Sequence, residues 1–290
     1  MRRLLAVLAL SVLPSVAHAQ SVDCAKPASP VEKGICDDSA LVPLDRLVIR
    51  ALRFALEANP AEAEALRADQ RRWLAVRDAA YTKANIAPLI RAHEARLREL
   101  LAKAGGRGLA AAMAAAAPID PLRESSPQAE ENAAFVAFML TTLHPQPPAS
   151  KSGEGDVLST YELYAGFTSI TPLADGRLLV AVPERCGDYQ CSTIPFTLDR
   201  KAGKATRLAV EVPDGAGVPR RDPSAIAVGA LTVSKGVVEV FDHGRGSGDC
   251  GTRWYYRAEA ATLALLKRVE KSACDGKEWT GKNSTTKAYR

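Results

Sequence analysis

Apolar residues between positions 43 and 104 recur at intervals of three and four. Leu44, Leu47, Val48, Ala51, Leu52 and Ala55 fall on one stripe and predict a helix over 43–58. Asn59-Pro60 interrupts it, and Pro60 suits the first turn of a second helix, which turns Leu66, Trp73 and Leu74 inward. After Asn85 and Pro88 a third helix follows with Leu89, Ile90, His93, Leu97, Leu100 and Leu101, and Gly105-Gly106 is its expected stop. Residues 105–127 are rich in Ala, Gly and Pro and read as a linker; Ala110 to Ala117 favour helix but offer no large apolar face to dock. One further amphipathic helix is predicted over 128–143, with Phe135, Phe138, Met139 and Leu143 as its apolar side chains. Beyond 157 the period shortens to two, in runs at 177–183, 190–198, 205–212, 225–234 and 236–242, with a hairpin at 252–258 and 262–270. Strands and helices do not alternate. The expected class is α+β: a small three-helix domain with a disulfide loop (20–104), the linker 105–127, and a mainly antiparallel β domain carrying one helix (128–290).

The first residues change the picture of where this chain works. Arg2 and Arg3, the apolar run Leu4 to Leu13 and Ala17-His18-Ala19 predict an export signal over 1–19, cleaved after Ala19. Ser21-Val22-Asp23 before Cys24 does not fit a lipoprotein signal. No other run approaches the roughly 20 apolar residues that span a bilayer, so no stable membrane insertion is expected after cleavage. The predicted location is the periplasm or the exterior.

All six cysteines lie beyond this signal, and an even count in an exported chain favours disulfides over metal or redox sites. Six cysteines allow 15 pairings. Cys24 and Cys36 stand alone in the N-terminal third and should pair, closing a short loop for about 3 kcal/mol. For the other four the expectation is Cys186 with Cys191 and Cys250 with Cys274, which sequence alone does not fix.

Charge excludes more than it assigns. Formal net charge is +5 and falls to +3 once Arg2 and Arg3 leave with the signal. No segment concentrates the positive charge that a nucleic-acid backbone requires. No cofactor motif and no metal-ligand spacing is present, so neither cofactor nor metal is expected. The marked local excess is acidic: Asp23, Glu32, Asp37, Asp38 and Asp45 face only Lys26 and Lys33.

The order DCAKPASPVEKGIC at 23–36, Leu44-Asp45, LRADQRRWLAVRD at 66–78 and LIRAHEARLREL at 89–100 resembles the N-terminal domain of the LprI-type lysozyme inhibitors over about 80 residues. Members join an early Cys loop to helices bearing Gln-x-x-Trp-Leu-x-x-Arg-Asp. Glu32, Cys36, Asp45, Gln70, Trp73, Arg77 and Asp78 fall on that pattern; Ala79-Ala80 stands where the family has a further cysteine, and His93 where it has an aromatic. The resemblance implies a non-catalytic binding protein that occludes a lysozyme-type glycosidase, with Asp37, Asp38, Asp45, Gln70, Trp73 and Arg77 as candidate contacts. A competing reading has Arg77 paired with an acid such as Asp45, Trp73 filling the core, Asp37, Asp38 or Ser39 capping a helix, and His93 as a packed core histidine.

The segment FDHGRGSGDCGTRWYYRA at 241–258, followed by Cys274-Asp275-Gly276 and Trp279, resembles the closing motif of an uncharacterised bacterial periplasmic domain family. RLLVAVPERCGDYQCSTIPFTLD at 177–199 is a weaker match to an earlier strand pair of it. Gly244, Arg245, Gly246 and Gly248 read either as an anion-binding nest or as a tight turn tied by Cys250. The alternative function is a periplasmic ligand-binding protein or enzyme using this loop, with Cys250 as nucleophile, His243 as base and Asp242 or Asp249 as orienter. It requires a free thiolate.

Overall fold

The computed structural model describes residues 21–83, 85–120, 125–145, 158–187, 190–222 and 227–289; the predicted signal 1–19 lies outside them. Among these described residues six α-helices come first: α1 (Pro30–Cys36), α2 (Leu41–Ala58), α3 (Ala63–Ala80), α4 (Ala87–Ala115), α5 (Pro127–Leu143) and α6 (Thr160–Phe167). Twelve strands follow: β1 (Ser169–Pro172), β2 (Leu178–Cys186), β3 (Cys191–Asp199), β4 (Lys204–Arg207), β5 (Ala209–Pro213), β6 (Pro219–Asp222), β7 (Ala227–Val228), β8 (Ala230–Ser234), β9 (Val237–His243), β10 (Gly251–Ala258), β11 (Thr262–Lys271) and β12 (Thr285–Ala288). The class is α+β.

The N-terminal helices start where the sequence supplies acceptors for their first N–H groups. Ser29 caps α1 through the Glu32 amide, and one Asp38 carboxyl oxygen takes the Ala40 and Leu41 amides at the head of α2, both at 2.9 Å. Asp38 is thus a capping residue. Cys24 and Cys36 are bonded, and α1 forms inside the loop they close.

Two expectations need correction. Gly105 does take a non-helical conformation, φ 50°, but the chain re-enters the helix and α4 runs on to Ala115. The stretch expected to begin a linker is therefore packed. It docks by closeness rather than by bulk: a Cβ at Gly108 would stand 3.0 Å from Met139 Sδ, so a larger residue there would have to push the Met139 side chain aside. Arg200, in the β3–β4 turn, donates to the carbonyls of Met113 and Ala116 and ties the end of α4 to the sheet, as does the Ile119–Ile170 bridge. The β domain also carries α6 as well as the expected 128–143 helix. A Ser159/Glu162 capping box starts α6, a signal legible in the sequence, although eight residues are too few to show a period.

Three layers result. A five-stranded sheet of order β1-β2-β3-β4, with β7 also on β3, lies between the helices and a seven-stranded sheet of order β6-β5-β11-β10-β9-β8, with β12 on β11. All pairings are antiparallel except β5 with β11. Along β2, Leu178, Val180 and Val182 join the helical core and Leu179 joins the core between the sheets, which is why LLVAV is continuously apolar. Helix α5 is the centre of the helical core. Ala133 to Leu140 are at most 1% exposed, enclosed by α2, α4, α6 and the five-stranded sheet. The hydrophobic core thus runs without a break from Val31 to Leu198, across the expected domain boundary.

Candidate functional site

Helices α2, α3 and α4 bring most of the N-terminal candidate residues into one cluster. Asp45 accepts the Val22 amide at 3.0 Å and faces Arg77 at 3.9 Å and His93 Nε2 at 3.6 Å. Arg77 also binds Asp78, and the Gln70 carbonyl oxygen accepts from Arg96 at 2.9 Å. His93 is fully buried; its Nδ1 lies 2.8 Å from the Leu89 carbonyl, which only accepts, so that nitrogen carries the proton. Trp73 meets the His93 ring edge-on, with Arg77 and Arg96 near its own ring. Arg96 is completed by Asp69 and Glu99 at 2.7 Å each, and it holds the Asp69 carboxyl below the usual carboxylate range.

This geometry corrects the contact set. Asp45, Gln70 and Arg77 are buried, and a partner cannot reach them without opening the helices. Asp38 is engaged as a cap, and Asp37 is exposed but paired with Lys33 at 3.0 Å. Trp73 is half-buried at the rim of the cluster. Of the acidic loop and this contact set, Asp23, Asp37 and part of Trp73 stay exposed.

The C-terminal motif folds into a closed knot. Cys250 and Cys274 are bonded, as are Cys186 and Cys191, so all six cysteines are oxidised. Gly251 takes φ 132°, and a Cβ there would press on the Asp242 carbonyl oxygen, so this position demands glycine. The nest supplies its own anion. Asp249 accepts from Arg245 through both oxygens at 2.7 Å, from the Ser247 hydroxyl and from the Gly276 amide. Arg245 accordingly holds the Asp249 carboxyl far below the usual range. The Gly244 amide donates to the Cys250 carbonyl and the Gly248 amide to that of Arg245. Of the expected anion-binding residues, Arg245 is therefore paired with Asp249 through Nε and one terminal nitrogen, and the amides of Gly244 and Gly248 are spent in the turn. Gly246 sits in the same turn, between residues already committed.

Below the knot, the fully buried Lys271 ammonium binds the carbonyls of Asp249 and Lys277 and the Asp275 carboxylate. The Trp279 indole donates to the Gly248 carbonyl at 3.1 Å, and the Arg253 guanidinium lies over both the Phe241 and the Trp279 rings, which meet edge-on. These supports are drawn from β9, β10, β11 and the tail after it; Phe241, Arg253, Asp275 and Trp279 belong to the motif quoted from the sequence, and Lys271 lies outside it. Among the described residues, no group of three His, Cys, Asp or Glu converges as a metal site.

An open cleft of about 430 Å³ lies elsewhere, where the first turns of α2, α5 and α6 meet. Arg46, Glu130, Tyr161 and Glu162, with Ser39 beside them, supply its polar lining. Sequence reading singled out none of the four, because they come from three separate helices and share no spacing.

Helices laid on a two-sheet sandwich, with every cysteine oxidised, define the class: an α+β protein built for an oxidising compartment. A family model described as "Protein of unknown function (DUF1176)" matches residues 100–288, and the chain belongs to that family. The matched span opens within α4 and includes everything after it; α1, α2 and α3 precede it. Neither a search of curated proteins nor one of solved structures found a match.

Proposed function

We propose that this protein is exported and acts outside the cytoplasm as a binding protein without turnover, and that its partner is a lysozyme-type muramidase met by the N-terminal helices. The observation that carries the non-catalytic reading is the Cys250–Cys274 bond: it leaves no thiolate at the constellation of nucleophile, base and orienter that the motif offered. The self-neutralised Asp249 knot likewise weighs against a ligand or enzyme site in that loop. The muramidase reading rests on the Cys24–Cys36 loop and the Gln70, Trp73, Arg77 pattern, with exposed Asp23 and Asp37 as the groups that would steer a basic partner.

The test is inhibition of a basic lysozyme by the whole mature chain, because the helical core is shared with α5 and a 20–104 fragment is not a fair substitute. Inhibition at stoichiometric excess, weakened in Asp37→Lys mainly through slower association and less so at high salt, is the expected result. Asp38 is left intact, since reversing it would remove a helix cap. Unchanged lysozyme activity at high molar excess of folded protein refutes the partner.

A further inference from the structure

The cleft at the heads of α2, α5 and α6 has the chemistry of a small-ligand site, independent of the muramidase reading. Its volume of about 430 Å³ falls within the roughly 300–1,000 Å³ of small-molecule pockets. Tyr161 is 6% exposed, yet its hydroxyl makes no hydrogen bond among the described residues, although it lines the cleft. Burial, with Glu131 and Glu130 nearby, pushes its ionisation above the ordinary tyrosine range, so the phenol stays a neutral donor. The ring is buried but the hydroxyl oxygen stays accessible, so it keeps its donor and acceptor sites for whatever enters the cleft.

The other polar groups present complementary vacancies. Arg46 is half-exposed and spends Nε and one terminal nitrogen on a single oxygen of Glu131, at 3.0 and 2.7 Å. Glu130 uses one oxygen on the Ser125 hydroxyl, and Glu162 uses one on the amide and hydroxyl of Ser159. Each lining carboxylate keeps a second oxygen for a donor. Between these groups lie short apolar surfaces from Val42, Pro43, Pro127 and Ala165.

Charge decides the ligand class. Two lining carboxylates, Glu130 and Glu162, oppose the Arg46 guanidinium, and three helix N-termini open on the same space, each equivalent to at most roughly half a positive charge and each partly answered by its own cap, Asp38, Ser126 or Ser159. These nearly cancel. A cleft with donors, acceptors and apolar facets but little net charge suits neither phosphate nor a polyamine. We propose that it binds a neutral polyhydroxylated compound, a mono- or disaccharide, whose hydroxyls donate to Glu130 and Glu162 and accept from Tyr161 and Arg46 while its C–H faces rest on the apolar walls.

The experiment is calorimetry and ligand-observed NMR on the mature chain with glucose, N-acetylglucosamine, cellobiose and N,N′-diacetylchitobiose, and with inorganic phosphate and spermidine as charged comparators. Saturable binding of at least one sugar is expected, about 3- to 10-fold weaker in Tyr161→Phe, the loss that one hydrogen bond represents. Gly166→Trp should abolish it: an added Cβ there meets nothing within 4 Å, so the backbone leaves room for a side chain at the cleft wall, and circular dichroism checks that the variant keeps the fold. No saturable sugar binding at high millimolar concentration overturns the proposal. So does sugar binding that survives Gly166→Trp, or a cleft that takes phosphate or spermidine in place of sugar.

Discussion

Arg77 illustrates how a residue that reads as a contact can be structural. Its guanidinium is almost fully buried between Asp45, Asp78 and the Trp73 ring, while Asp45 in turn holds the Val22 amide. Removing one member of such a pair strands the other charge. Arg77→Ala should therefore cost about 3 kcal/mol, measured by urea denaturation of the mature chain. An effect within about 0.5 kcal/mol, the range of ordinary surface substitutions, would return Arg77 to the list of partner contacts. The sequence made both readings available, since the spacing of Gln70, Trp73 and Arg77 shows that they share a face but not which way that face points. The identity of what lies opposite, His93 and Arg96 on α4, decides the direction, and it depends on helix packing that no local spacing encodes.

At the scale of elements, the loop from His243 to Gly251 is held by charges as well as by its disulfide. Arg245 depresses the Asp249 carboxyl, and Lys271 depresses that of Asp275. Both groups ionise more readily folded than unfolded, where the carboxyl sits near about 3.9. Their contribution is present above that value and is lost as pH falls below it. The Trp279 indole N–H, bonded to the Gly248 carbonyl, should accordingly lose its exchange protection as pH drops from about 5 toward 2. Asp249→Asn should shrink this acid step without removing it, since Asp275 shares the window. A Trp279 signal unchanged down to pH 2 would show that the disulfide alone holds the loop. This loop was legible because glycine and cysteine mark turns and ties regardless of context. The continuation of α4 was not: Gly105 signals a stop, and the docking of Gly108 and Ala112 depends on how closely α5 can approach. The pattern over 128–143 predicts α5 with one apolar face, whereas Ala133 to Leu140 are covered on every side.

For the whole molecule, the unbroken core argues for cooperation between the helices and the five-stranded sheet. A 20–104 fragment would leave the α5-facing sides of α2 and α4 uncovered and should fail to give a cooperative melt, in contrast to the intact chain. Phe138, fully buried against Tyr164 with Arg98 over its ring, is the corresponding point substitution. Phe138→Ala should lower stability by about 3–5 kcal/mol. It should also shift the unfolding of Trp73 and Trp254 together, although one lies among the helices and the other beside the sheet-to-sheet core. Separate transitions for the two tryptophans would restore the division into independent domains.

The enclosure of α5 bears on any chain cut down to the family-matched span. Starting at residue 100 removes α2, and with it Phe54 and Arg50 from the Phe135 ring and Arg46 from the nearly buried Glu131 carboxylate. The remainder would present an oily strip with an unpaired acid at one end, and such surfaces make proteins stick to one another. Expressed alone, that span should self-associate or require a detergent, and it should become dispersible again when the missing helices are supplied as a separate polypeptide.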